Sequence, residues 1–359
     1  MKQLSFRRAF ALLVLATVLL VLVGCGSEEG VRNRDSPKQD EPKRDEPKRD
    51  AADKPPPAPE PAKTPQLEEE PAGKVVEIGN APEGLAADPE TGLVAVALRK
   101  PNKLALVDGE SGEIVREVEL PGSARHLDLA APGGPVLVPV ESSDSLVQVG
   151  LPDGEILEET PVGDFPHAAA ASSGRVFVAN EKGDTASVIE AGQEIEKIET
   201  PLQPGGVAST DDGLVGIVGV RGLTMEVFDA ETLKSLGGVD AGAGPTHVKA
   251  GPENRLYVAD TRGDAILVYD TSPEPKRIQR LPLPGSPYGI AVDSERNHLW
   301  VTLTAKQQVV QFALEGGSLR EISRYTTVRQ PNTVAVDPAS GRAFVASRSE
   351  DQLQILEPQ

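Results

Sequence analysis

Residues Gly242–Asp270 read GAGPTHVKAGPENRLYVADTRGDAILVYD. Three short apolar runs stand in that stretch: Thr246–Ala250 behind a Gly-x-Gly-Pro turn, Leu256–Asp260, and Ala265–Asp270. Each is too short for a helix, and the second and third are rich in Val, Leu, Ile or Tyr. Turn residues (Gly, Pro, Asn, Asp) separate them, which is the pattern of successive antiparallel strands. The unit recurs. Its landmark proline stands at Pro82, Pro166, Pro204, Pro245, Pro287 and Pro331, with Ala124 in that place once. Successive spacings are 42, 42, 38, 41, 42 and 44 residues. A second landmark, an apolar strand ending in a carboxylate or small residue, begins at Leu104, Leu146, Ala186, Met225, Ile266, Val309 and Leu353. It keeps the same phase.

A period near 40–45 residues with four strands per unit is that of a propeller. The expected fold is therefore all-β: a seven-bladed β-propeller of four-stranded antiparallel blades. The seventh unit stops one strand short at the C-terminus. The unassigned strand at residues 73–79, Gly-Lys-Val-Val-Glu-Ile-Gly, is expected to supply that outer strand and close the ring. Closure would remove two sheet edges. Small residues in the inner strand (Ala86, Ala87, Ala168–Ala171, Ala208, Ala291) suit a crowded centre.

Everything before residue 73 reads differently. Lys2, Arg7 and Arg8 precede an apolar run, Ala9–Val23, the layout of a secretory signal. Leu22-Val23-Gly24-Cys25 then has the form of a lipobox, and Cys25 is the only cysteine of the chain. The expectation is a lipoprotein signal over 1–24, cleavage before Cys25, and lipidation of Cys25 by diacylglycerol. Several acyl chains anchor stably where one would be marginal. The protein is thus expected on a cell membrane, facing outside the cytoplasm. Arg7-Arg8-Ala9-Phe10 leaves the twin-arginine and general export routes both open. Residues 25–72 carry many prolines and balanced charge, with too few large apolar residues to offset the entropy of ordering. They are expected to form a disordered tether, leaving residues 73–359 as the propeller.

The formal charge is −19. Nearly all of it belongs to residues 73–359, with 24 basic and 42 acidic residues, or −18. That excludes nucleic acid, whose phosphates require a basic surplus. A monomer is expected.

The repeat resembles the YVTN-repeat, or YncE-like, β-propeller family. The match is Gly-x-x-Pro-x-x-(Val/Ile)-Ala-Val-Asp, then Leu-Tyr-Val-Ala-Asp, then a strand ending Val-Tyr-Asp, best seen in Gly242–Asp270. The resemblance implies an extracytoplasmic binding or scaffold domain. Gly285-Ser-Pro-Tyr-Gly-Ile-Ala-Val also resembles the repeat of streptogramin lyases, propellers that use His and Glu with a magnesium ion at the channel mouth. Their Trp-Phe-Thr-Glu strand is absent, with Leu299-Trp-Val-Thr-Leu the nearest approach.

In a propeller, the residues after the landmark proline ring the mouth of the central channel. The first position gives Glu83, Arg125, His167, Gly205, Thr246, Tyr288 and Asn332. The second includes His126 and His247, and Asp128 stands nearby. The candidate ligand-binding set is Glu83, Arg125, His126, His167, His247, Tyr288 and Asn332. Histidine titrates near neutrality and ligates metals. Yet blades 2, 3 and 5 are not neighbours in a row, so the three histidines also read as residues bonded to turn backbone. His298 reads as a solvated turn residue. No nucleophile elbow, phosphate loop or zincin motif occurs. The expected function is a non-catalytic platform for a protein or small ligand, with no catalytic residues and no cofactor. A divalent metal enters only under the alternative, a metal-dependent lyase or hydrolase.

Overall fold

The structure is a computed structural model that describes residues 54–66, 69–79, 81–316 and 318–357. The expected signal over 1–24, the expected lipidation site Cys25 and the expected tether up to residue 53 lie outside the described residues. Among those described, no helix is long and apolar enough to cross a membrane.

Seven four-stranded sheets follow one another. Their innermost strands are Pro82–Ala87, Asp128–Leu129, Pro166–Ser172, Pro204–Ser209, Pro245–Gly251, Pro287–Asp293 and Pro331–Val336. Blades 1 to 7 take their numbers from these strands. Every strand pairing is antiparallel, and six landmark prolines each open an inner strand. In blade 2, where Ala124 stands for proline, the inner strand shrinks to two residues plus an isolated bridge from Ala124 to Val140. The last blade is completed by Lys74–Glu77, which pairs with Gln352–Leu356 in the register Lys74↔Ile355. The two ends of the ring are thereby joined by backbone hydrogen bonds.

Burial follows strand rank. The second strand of blade 3, Arg175–Asn180, is buried from Val176 onward, because both faces of its sheet are covered by neighbouring blades. The outermost strand, Gln193–Glu199, is mostly exposed, and its sequence is correspondingly charged. Between blades sit the large side chains, with Trp300, Tyr257, Tyr269, Phe177, Phe312 and Phe344 almost fully buried. Where the inner segments of blades 1 and 2 meet there is room only for backbone. A Cβ on Gly84 would lie 1.9 Å from the Arg125 carbonyl oxygen, so blades 1 and 2 meet there main chain to main chain.

Turns at the far end repeat one device. Asp108 accepts hydrogen bonds from the Ser111 amide and hydroxyl at 2.7 and 2.8 Å, and Asp229 accepts the same pair from Thr232, both at 2.7 Å. These are Asx turns. The backbone amides of Ser111 and Thr232, with their hydroxyls, hold both carboxyls below the usual range.

Of the expected tether, residues 54–66 are laid on the propeller, and the compact unit begins at Lys54 rather than at residue 73. The contacts that hold them are described below.

Candidate functional site

The inner strands carry His167 and His247 into the channel, the segment just before the short inner strand of blade 2 carries His126, and the channel is narrow enough for residues from blades 2, 3 and 5 to touch. The His126 ring centroid lies 4.7 Å from that of His167 and 4.5 Å from that of His247, both edge-on. His247 Nδ1 donates to the Tyr288 carbonyl at 2.9 Å, which leaves its Nε2 unprotonated when the ring is neutral. His126 Nε2, 3.1 Å away, then donates to it. Only His247 therefore bonds backbone, and that backbone belongs to the neighbouring inner strand Pro287–Asp293 rather than to a turn. His126 and His167 engage other side chains. The Tyr288 ring packs edge-on to His247 at 4.6 Å.

His126 and His247 line a void of about 50 Å³ inside the channel. Each keeps some accessible surface there but has lost most of its hydration. Burial, then the neighbouring histidines, hold His126 well below the usual imidazole range. Burial takes His247 down to about 3. Both rings are neutral at pH 7.

Around the mouth on blades 7, 1, 2 and 3 lies an ionic cluster. Glu141 is the hub, with Arg99 Nη2 at 2.8 Å, Arg125 Nε at 3.3 Å and His167 Nδ1 at 3.4 Å. Glu83 meets Arg348 at 2.9 Å, Arg125 at 3.7 Å and Arg99 at 3.9 Å. Glu181 completes it, 3.4 Å from His167 Nδ1 and accepting from Gln203 Nε2 at 2.7 Å. Burial opposes the charge on both Arg125 and Glu141. Their mutual attraction wins, raising the former and, with the His167 contact, lowering the latter. Asn332 is buried and takes a hydrogen bond from Gln330 Nε2 at 3.1 Å.

Glu141, His167 and Glu181 place one ligand atom each within 4.8 Å of one another, so two carboxylates and an imidazole suited to a metal are at hand. The charge balance speaks against a dication. Three carboxylates (Glu83, Glu141, Glu181) face three guanidiniums (Arg99, Arg125, Arg348), and a 2+ ion would have to displace one of the latter. Glu141 Oε1 and His167 Nδ1 are nevertheless buried without a well-aligned hydrogen bond, as are Glu83 Oε2 and Arg125 Nε. A water or a small polar ligand at this mouth would satisfy them.

The larger space lies at the opposite end. The inner strands spread into a funnel of about 650 Å³ lined by Ala86, Ala87, Ala170, Ala171, Ala208 and Ala291, among others. Alanines that the sequence suggested would fill a crowded centre instead leave it open. At the floor Lys249 Nζ pairs with Asp128 Oδ2 at 2.6 Å. Sequence reasoning did not single out Lys249. Its place four residues after the landmark Pro245, on the inward strand, was the available signal. His298, expected in solvent, is half-buried, with Gln311 Nε2 3.0 Å from its Nδ1.

No family model matches the chain, and no curated protein matches it. Its fold is widely shared among solved structures. Hydrazine synthase from Kuenenia stuttgartiensis superposes with a TM-score of 0.68 at 16% identity, covering 81% of this chain and 99% of that one. Virginiamycin B lyase from Staphylococcus aureus gives 0.66 at 16%, covering 81% and 100%. The Cps50 (Swd1) β-propeller domain of Myceliophteria thermophila gives 0.67 at 10%, covering 80% and 100%. These likenesses establish a seven-bladed propeller whose structural neighbours include both enzymes and scaffold-type domains.

Proposed function

We propose that the chain is an exported lipoprotein, anchored through Cys25, whose YVTN-type propeller is a non-catalytic binding module. Its ligand is a small, largely apolar molecule held in the alanine-lined funnel. The observation that carries this reading is the funnel itself. At about 650 Å³ it has the volume of small-molecule sites, its inner wall is set with alanines, and one ion pair at its floor can orient a polar group. The acidic propeller and the Pro-rich stretch behind Cys25 support a domain held away from a membrane rather than one lying on it.

The neutral apolar dye N-phenyl-1-naphthylamine tests the site. Its fluorescence should rise saturably with the wild-type protein. Ala171→Phe, which projects a ring into the funnel, should reduce that binding at least tenfold at unchanged thermal stability. Equal dye binding by the two proteins would remove the funnel as the site. The anchor has its own test: Cys25→Ser should move the protein from the membrane fraction to the soluble fraction. Continued membrane retention would refute lipidation at Cys25.

A further inference from the structure

Residues 54–66, Lys-Pro-Pro-Pro-Ala-Pro-Glu-Pro-Ala-Lys-Thr-Pro-Gln, hold six prolines. A chain of this kind favours the polyproline II form, which makes no internal hydrogen bonds and leaves its carbonyls free. Its prolines offer no N–H, so a surface that reads it must supply donors. The mouth face of blades 4 to 7 does so. Arg221 Nε donates to the Pro56 carbonyl at 3.0 Å and Arg262 Nη2 to the Pro57 carbonyl at 2.8 Å. Gln330 Nε2 donates to the Ala62 carbonyl at 2.9 Å, and Gln307 Nε2 to the Pro65 carbonyl.

The few donors in the segment are matched as well. The Ala62 amide donates to Thr304 Oγ1 at 3.1 Å and the Thr64 amide to Gln330 Oε1 at 3.2 Å. The Thr64 hydroxyl donates to the Thr304 carbonyl at 2.9 Å and accepts from the Gln330 amide at 3.0 Å. Thr64 is only 4% exposed. Pro59 is buried against Gly244, where a Cβ would come within 3.3 Å of its own. Glu60 reaches the site electrostatically. Burial pushes the Tyr288 hydroxyl up, Arg125 opposes that, and Glu60 pushes it further. Four loops from four blades thus satisfy one extended segment, side chain to main chain.

We infer that the mouth face of blades 4 to 7 is a recognition surface for proline-rich peptides, and that residues 54–66 occupy it in cis. The partner class is a polyproline II segment offering successive carbonyls, with one proline for the Gly244 site and a Thr five residues beyond that proline. The fit resembles the general mode in which a preformed polyproline helix is read with little loss of conformational entropy. It differs in using guanidinium and carboxamide donors rather than an aromatic groove. A short linker to the strand at Lys74 gives the cis segment an effective concentration in the millimolar range. A peptide in trans must overcome that, so the surface engages a partner only when the cis segment is weakened or outcompeted.

The test uses the full chain carrying Cys25→Ser, unlipidated, and a fluorescent synthetic peptide of residues 54–66 read by anisotropy. A chain whose own segment is weakened by Pro59→Asp and Thr64→Ala should bind the peptide at least tenfold more tightly than the chain with the native segment. Adding Arg262→Ala and Gln330→Ala to the face should remove that gain. A peptide with alanine at all six prolines should bind at least tenfold more weakly. Failure of the weakened chain to bind the peptide, or binding indifferent to the face substitutions or to the prolines, overturns the inference. Circular dichroism and melting of each variant separate loss of recognition from loss of fold, and Arg262→Ala alone serves if the combined variant unfolds.

Discussion

Between pH 6.5 and pH 4 the propeller is expected to lose stability steeply, and His247→Gln is expected to remove a large part of that loss. The cause lies in the channel. His126 and His247 are neutral in the folded chain because burial, their own proximity, and the charges of Arg125 and Lys249 all disfavour a proton. In the unfolded chain each titrates near 6.5. Above that value both states are neutral, and the histidines contribute nothing to the pH dependence. Below it the unfolded state takes up protons that the folded state refuses, so stability rises with pH and falls with acid, down toward the folded value of about 3 for His247. Each histidine that stays neutral costs up to about 1.4 kcal/mol per pH unit. Glu141, whose folded value is depressed, adds a separate loss only as pH drops below about 4.5. Melting temperatures at pH 7.5, 6.5, 5.5 and 4.5 read this directly. A wild-type curve flat between pH 7 and pH 5 would mean that the histidines are not held neutral.

That trio shows where sequence reasoning stops. The repeat is legible because each blade needs the same strand lengths and turn residues, and a period is visible in one dimension. The same period contains most of the ionic cluster. Glu83 and Arg125 are 42 residues apart, as are Arg125 and His167, and Arg99 and Glu141. Stacking the two loop sets in phase would have placed them on adjacent blades. The His126–His247 contact joins blades 2 and 5 across the axis, 121 residues apart. No period encodes it, because it depends on how narrow the channel is. The funnel eluded the sequence for the same reason. Small residues such as Ala171 and Ala208 are compatible with a closed centre or an open one, and the splay of seven twisted sheets decides between them. The laid-down segment 54–66 was illegible on other grounds. Polyproline II has no hydrophobic period, and composition that forbids an independent core does not forbid docking onto donors such as Arg262 and Gln330.

Glu141→Leu is expected to destabilise the propeller by about 3–5 kcal/mol, the range for removing one partner of a buried ion pair. The Glu141 side chain is 1% exposed and serves Arg99, Arg125 and His167 together. Without it two guanidiniums remain in a region already poor in solvent, with only Glu83 to share. A surface pair makes the contrast. Arg320 and Glu315 approach more closely, at 2.6 Å, but their side chains are 59% and 61% exposed. Removing Glu315 should leave stability essentially unchanged, because water replaces what is lost. Distance alone would rank these two sites the wrong way round; desolvation reverses the order. Combining Glu141→Leu with Arg125→Met should recover part of the loss, since one of the stranded charges goes with its partner. Urea denaturation of the single and double variants measures the coupling. A Glu141→Leu protein within 1 kcal/mol of wild type would show that the cluster is solvated in solution, and that Arg99 and Arg125 answer to water rather than to Glu141.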